Sequence, residues 1–146
     1  MMDSNKIISC GAIVYKISSG KILYLLLNHQ KGGHWGFPKG RPLNNESFIE
    51  AAMREVQEET NLNGLVFCTD NPIYEEYNIN IDGNNYNKKV IYFLAQAQDS
   101  NVSLSSEHNN FVWIDYFQLV KKLGKESQRV LIEEVKRILK NKHNLY

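Results

Sequence analysis

Cysteine is nearly absent from this 146-residue sequence, which has only Cys10 and Cys68. Both lie in apolar runs, without the paired spacing of a metal finger or a redox motif, so they read as free thiols and a disulfide framework is excluded. Unpaired thiols suit a reducing compartment. Charge of one sign is missing too, because 17 Lys and Arg against 16 Asp and Glu leave a formal net charge of +1. That balance argues against a broad basic nucleic-acid surface or a polybasic membrane arm, although a local basic pocket fits inside it. No run approaches the roughly 20 apolar residues of a membrane span, and Met1 to Lys6 lacks the apolar core of a leader. Repeats, low-complexity blocks and linkers are also lacking. With 42% hydrophobic and 23% charged residues, the chain reads as one globular domain over residues 1–146, a cytoplasmic monomer with no membrane and no stable nucleic-acid complex.

β-branched and apolar runs predict strands over Ile7–Tyr15 and Ile22–Leu27, joined by a turn at Ser18-Ser19-Gly20. Lys31 to Pro42 carries too many glycines and prolines for regular structure and reads as a long or functional loop. Ser47-Phe48-Ile49-Glu50 has capping-box spacing, so a helix starts there and runs to Thr60, with Asn61 suited to the left-handed position beyond its end. Further strands are expected over Leu65–Cys68, Ile73–Ile79, Val90–Ala97 and Phe111–Ile114, with a turn-rich break at Asp82 to Asn85. A second amphipathic helix over Lys125–Leu139 closes the chain. Strands interleaved with two helices predict an α+β or mixed α/β layered sandwich.

On the first helix, Glu55, Glu58 and Glu59 are spaced i, i+3 and i+4, which gathers them within about 100° of arc. Ile49, Ala52 and Val56 hold the adjoining arc, so the acidic stripe follows the margin of the buried face. Carboxylates this close repel one another, and Arg54 is the one countercharge the helix supplies. Mg²⁺ or Mn²⁺, which prefers oxygen ligands and bridges carboxylates to phosphates, answers that problem. A bare Glu-x-x-Glu-Glu is more often a solvated acidic face.

The wider context bears on that choice. Gly40, then Glu46, then Arg54-Glu55-Val56-Gln57-Glu58-Glu59-Thr60-Asn61-Leu62 resembles the Nudix box, with Asn61 standing where the family pattern has glycine. Cys10-Gly11-Ala12-Ile13, His34-Trp35-Gly36-Phe37-Pro38-Lys39-Gly40, Lys88 to Ala95 and Ser106-Glu107-His108 extend the resemblance over nearly the whole chain. They make it similar to the asymmetrical diadenosine tetraphosphate hydrolases within that family. The Trp-x-Phe-Pro-Lys-Gly signature is shared with Nudix enzymes acting on RNA 5′ ends.

The resemblance implies an α/β/α sandwich with a mixed central sheet. It further implies that Gly40, Glu55, Glu58, Glu59 and Glu107 hold Mg²⁺ or Mn²⁺, with more than one ion, and that Arg54 orients the carboxylates. Glu46 would reach a metal through water. Glu107 is the first candidate for the base that activates water, with Glu59 and Glu55 as alternatives. His34, Lys39 and Lys88 or Lys89 are suited to a polyphosphate chain. Phe111, with Tyr77 or Tyr86 on the other side, is suited to stacking on a base. Each has a plainer alternative: a surface charge for the lysines, loop packing for His34, core packing for Phe111. The expected activity is cleavage of diadenosine tetraphosphate to ATP and AMP. The alternatives are pyrophosphate removal from RNA 5′ ends, with diphosphoinositol phosphates disfavoured, and a nucleotide sensor without catalysis.

Overall fold

The structure is a computed structural model that describes residues 5–145. The stretch read for a leader therefore lies, as far as Ser4, outside the described residues. Strands β1 (Lys6–Ser18) and β2 (Lys21–His29) form an antiparallel hairpin. Ser19 and Gly20, both at positive φ, make its two-residue turn. The loop that follows is not wholly irregular, because β3 (Trp35–Gly36) pairs with β2 and β4 (Lys39–Gly40) pairs with β1. These two-residue pairings are too short for any alternation to show in sequence.

Helix α1 (Phe48–Thr60) carries the capping box, with Ser47 Oγ accepting from the Glu50 N–H and Glu50 accepting from the Ser47 N–H at 2.9 Å. Asn61 terminates it in the left-handed region at φ 53°. After the short β5 (Val66–Phe67), β6 (Ile73–Ile81) and β7 (Asn84–Gln96) form a long hairpin. Its turn is only Asp82-Gly83, so Asn84 and Asn85, expected in a break, belong to the strand. β8 (His108–Ile114) pairs with β2.

Helix α2 (Tyr116–Lys122) has no counterpart among the sequence expectations. Seven residues give too little periodicity to be seen, although Asp115 and Gln118 form a capping box of their own. Helix α3 (Glu126–His143) closes the chain.

The sheet runs β3-β2-β1-β7-β5, with β4, β6 and β8 paired onto it, and the β1–β7 ladder is parallel among otherwise antiparallel pairs. Central β1 is buried without a break from Ser9 to Tyr15, as a strand covered on both faces must be. On one face Ala12, Val14, Leu25, Leu27, Cys10, Ile91 and Phe93 pack with Ala51, Ala52 and Val56 of α1. On the other, Ile13, Tyr15, Tyr24, Leu26, Val90, Tyr92 and Leu94 pack with Leu119 of α2 and Leu131, Val135 and Leu139 of α3. The result is the α/β/α sandwich with a mixed sheet. Among the described residues no helix is long and apolar enough to cross a membrane.

Candidate active site

Residues i, i+3 and i+4 of α1 share a side, and one arginine organises them. Arg54 Nε and Nη2 hold both oxygens of Glu46 at 2.7 and 3.1 Å, while Nη1 reaches Glu55 at 2.9 Å and Glu58 at 3.3 Å. Its Nη2 also donates to the Arg41 carbonyl at 3.0 Å. The Arg54 hydrogen bond is the main reason the Glu46 carboxyl lies below its ordinary value, and the Leu43 N–H, donating at 2.7 Å, adds to it. Glu46 was expected to meet a metal through water. Both of its oxygens accept from Arg54, so it anchors the arginine.

Glu55 is held above its ordinary carboxylate value by burial, which Arg54 opposes. Its carboxylate lies against Gly40, where an added Cβ would meet the Glu55 carboxyl carbon at 2.1 Å. Only glycine lets backbone and carboxylate approach so closely. Glu59 is 4% exposed, and burial, then the charges of Glu55 and Glu107, push its carboxyl up to about 8. One oxygen faces His108 Nε2 at 3.4 Å, too long for a good hydrogen bond, and the other is buried without a partner. Glu58 is more open, its side chain 59% exposed.

Glu107 reaches this group from far along the chain. The Ser103 N–H donates to the Thr60 carbonyl at 2.9 Å and Asn61 Nδ2 donates to the Ser103 carbonyl at 2.9 Å, tying the loop to the end of α1. From the other side the Gln30 N–H holds the Glu107 carbonyl at 2.9 Å. Lys39, Gly40, Glu55, Glu58, Glu59 and Glu107 thereby line one cavity of about 290 Å³, with Ser105 and Ser106. Among the described residues no three acidic, histidine or cysteine side chains close into a ready ligand group, and Arg54 holds Glu55 and Glu58 at the rim. The donors are nevertheless all hard oxygens, and the buried unpartnered oxygen of Glu59 faces like charges, which is the environment a divalent cation satisfies. Beside them His29 stacks on His34 at 4.3 Å and lies 4.7 Å from His108. Burial is the first cause that lowers all three imidazoles. Neither His29 nor His108 was singled out from sequence as a site residue.

The lysines resolve on strand register. Lys88 pairs with Tyr77, and Tyr86 with Ile79, on the face that buries Val90 and Tyr92. Lys39 is opposite Gly11, itself beside Tyr92, and so points to that same face. Lys89 points to the other face, its Nζ 4.3 Å over the Tyr74 ring, which corrects its place beside Lys88 as an equal candidate. Burial first, then the charge of Lys88, lowers Lys39, and the buried Glu75 opposes the shift. His34, stacked on His29, is lowered by partial burial first and then by the charges of Lys39, Lys125 and Lys88. Phe111 is half-buried opposite Leu27, packed on the α1-side core. Tyr77 and Tyr86 lie on the other face, so the expected clasp of Phe111 with either tyrosine on one base is corrected. Two residues that the motifs did not mark belong to this side: Glu75, 2% exposed, and Lys125, whose Nζ lies 4.8 Å over the Tyr77 ring.

A cavity with carboxylates on one wall and lysines on the opposite face of the same sheet edge can hold cations and a polyanion together. The NUDIX domain model matches residues 8–135. The chain is 31% identical over 144 residues to the asymmetrical bis(5′-nucleosyl)-tetraphosphatase of Rattus norvegicus, covering 92% of each chain. It is 26% identical to the m7GpppN-mRNA hydrolase of Saccharomyces cerevisiae, covering 80% of this chain but 12% of that protein. A C. elegans Ap4A hydrolase in a binary complex superposes with TM-score 0.81 at 29% identity, over 92% of this chain and 98% of that one. The family model spans the glutamate helix, the glycine facing Glu55 and the loop bearing Glu107, and the chain belongs to the Nudix family of hydrolases.

Proposed function

We propose that this chain hydrolyses dinucleoside polyphosphates, cutting diadenosine tetraphosphate asymmetrically into ATP and AMP. The observation that carries the reading is the shared cavity of Lys39, Gly40, Glu55, Glu58, Glu59 and Glu107. The resemblance to tetraphosphatases over most of both chains supports the substrate. Nudix hydrolases generally use divalent metals such as Mg²⁺. Glu55, Glu58, Glu59 and Glu107 with the Gly40 carbonyl would hold more than one Mg²⁺ or Mn²⁺, which neutralise phosphate charge when bound.

The chain's own groups do the rest. Arg54 fixes Glu46 and Glu55 and so sets the wall of the cavity. Glu107, exposed on its loop, takes the proton as the water oxygen bonds to phosphorus and the bridging P–O bond breaks. Lys39 and Lys88, with His34, balance the charge of the departing ATP, and Tyr77 or Tyr86 offers a flat surface to adenine. Phe111, on the opposite face, is left to core packing. The protein acts as a monomer in the cytoplasm, where its two unpaired cysteines stay reduced.

The test is product analysis of purified protein with diadenosine tetraphosphate and Mg²⁺. ATP with AMP is the expected pair, whereas two ADP or no turnover would refute the reading. The likeness to an mRNA hydrolase favours one further substrate, triphosphorylated or capped RNA, and the same assay run head to head ranks the two.

A further inference from the structure

On the α3 side of the sheet, register alone places a line of cations. Lys39 is in the row of Gly11, Tyr92 and Ile73, and Lys88 is in the row of Tyr77. Glu75, opposite Val90, occupies the row between them. Residues directly opposite in an antiparallel pair have Cβ atoms about 5 Å apart, so Lys88 and Tyr77 are side by side. Ser127, in the first turn of α3, donates to Glu75 at 2.8 Å and pins the start of that helix over β6. Two residues earlier, Lys125 extends over the outer ring of the group at 4.8 Å from the Tyr77 centroid.

Lys39 and Lys88 thus feel the charge of the buried Glu75 and Lys125 extends over the neighbouring Tyr77, and among the described residues none of the three is ion-paired. Each of Lys39, Lys88 and His34 has its protonated form disfavoured by the Lys125 charge, as proximity requires. Glu75 offsets one positive charge and leaves about two in surplus. Unpaired cations that crowd together without an anion are costly, and a chain of phosphates removes the cost.

We propose that Lys125 is a specificity-determining residue that binds the far phosphates of the substrate, completing a row with Lys39 and Lys88 that reads the length of the polyphosphate chain. Lys39 borders the carboxylate cavity through its backbone, so its side chain, turned to the other face, meets the phosphates nearest the bond that breaks. Lys125 is at the opposite end of the row and meets those furthest from it. This rests on the polyphosphate reading of the site but not on turnover.

The experiment is calorimetric titration of the full chain, in a chelator, with ADP, ATP and adenosine 5′-tetraphosphate. The variants are Lys125→Ala, Lys125→Arg and, as a distant control, Lys140→Ala. The Lys125 side chain is exposed and makes no capping hydrogen bond, so its substitution leaves the fold intact. The wild type and Lys140→Ala are expected to bind more tightly with each added phosphate. Lys125→Ala should lose about tenfold for the tetraphosphate, the scale of one charge-assisted hydrogen bond, with less for ATP and least for ADP. Lys125→Arg should restore most of it. Equal losses for all three nucleotides, a variant that follows Lys140→Ala throughout, or no dependence on phosphate number in the wild type would overturn the proposal. If tetraphosphate binding depends on Lys125 while diadenosine tetraphosphate is not cleaved, the substrate reading falls and this assignment stands.

Discussion

The two sides of the sheet edge are built on the same plan with the signs reversed. On the α1 side Glu46, Glu55 and Glu58 gather around Arg54, with Glu59 and Glu107 nearby. On the α3 side Lys39 and Lys88 feel the charge of Glu75, with Lys125 over Tyr77 beside them. In both, a single opposite charge lies within the cluster without neutralising it. The difference is one of rigidity: Arg54 grips its partners through a fork of short hydrogen bonds, whereas Glu75 is buried and its lysines are not ion-paired with it. A preset wall suits catalytic geometry, and a looser row suits a flexible chain of phosphates.

The comparison is tested hardest at Glu58, the most exposed of the three clustered glutamates of the helix. Glu58→Gln should lower kcat by about 10²–10³, reduce Mn²⁺ binding seen by electron paramagnetic resonance, and leave the far-ultraviolet circular dichroism unchanged. Wild-type turnover in that variant would remove Glu58 from the mechanism. Gly40→Ala comes next, since its methyl group must push the mobile end of Glu55 aside. We expect a loss in kcat between about tenfold and about a hundredfold with little change in Tm, and a fall in Tm with normal kcat would mean that Glu55 has no functional place there.

The pH dependence of stability tests the carboxylate side further. Below its ordinary value of 4.5, Glu59 is protonated in the folded and the unfolded chain alike. Between 4.5 and about 8 the unfolded chain ionises first, so stability is lost as pH rises through that window. His29 works the other way: burial, then neighbouring positive charges, lowers it to about 4, so stability is lost as pH falls from 6.5 towards that value. In a chelator, Tm should drop by several degrees between about pH 6.5 and about pH 9, and Glu59→Gln should flatten the slope. Added Mg²⁺ should raise Tm at the alkaline end; a slope unaffected by Glu59→Gln would place the titrating group elsewhere. The smallest effect is expected for Asn61→Gly, which keeps the left-handed turn and deletes the bond to Ser103. About 1 kcal/mol of stability and a few-fold in kcat should go, and identical kinetics would show that the Glu107 loop does not depend on it.

Much of this was legible in the sequence because the acidic side is local. Ser47, Glu50 and the glutamate spacing all belong to one helix, and helical periodicity converts spacing into a shared face. The basic side is assembled from β4, β6, β7 and α3, and which lysine joins it is decided by pairing register, which no local pattern carries. Lys88 and Lys89 were therefore indistinguishable in sequence, Glu75 was one more acidic residue in a strand, and Lys125 was unmarked before a helix. His108 was missed for a related reason: it was part of the Ser106-Glu107-His108 motif, but its place against Glu59 arises only when the loop folds back. The alternation of β6 and β7 across Asp82 to Asn85 was hidden by asparagines, whose turn preference gives way to the ladder. Phe111 was ambiguous between cleft and core, and its pairing with Leu27 puts it in the core.

Strand β4 is two residues long, yet Lys39 turns to one face and Gly40 to the other. A frame shift of one residue there would thrust a lysine among the glutamates and leave the phosphate side bare. Gly11 guards against it, since a methyl group at that position would come within 2.2 Å of the Pro38 carbonyl and prise the two strands apart. A single residue added between Pro38 and Gly40 should therefore exchange the two electrical halves of the cleft.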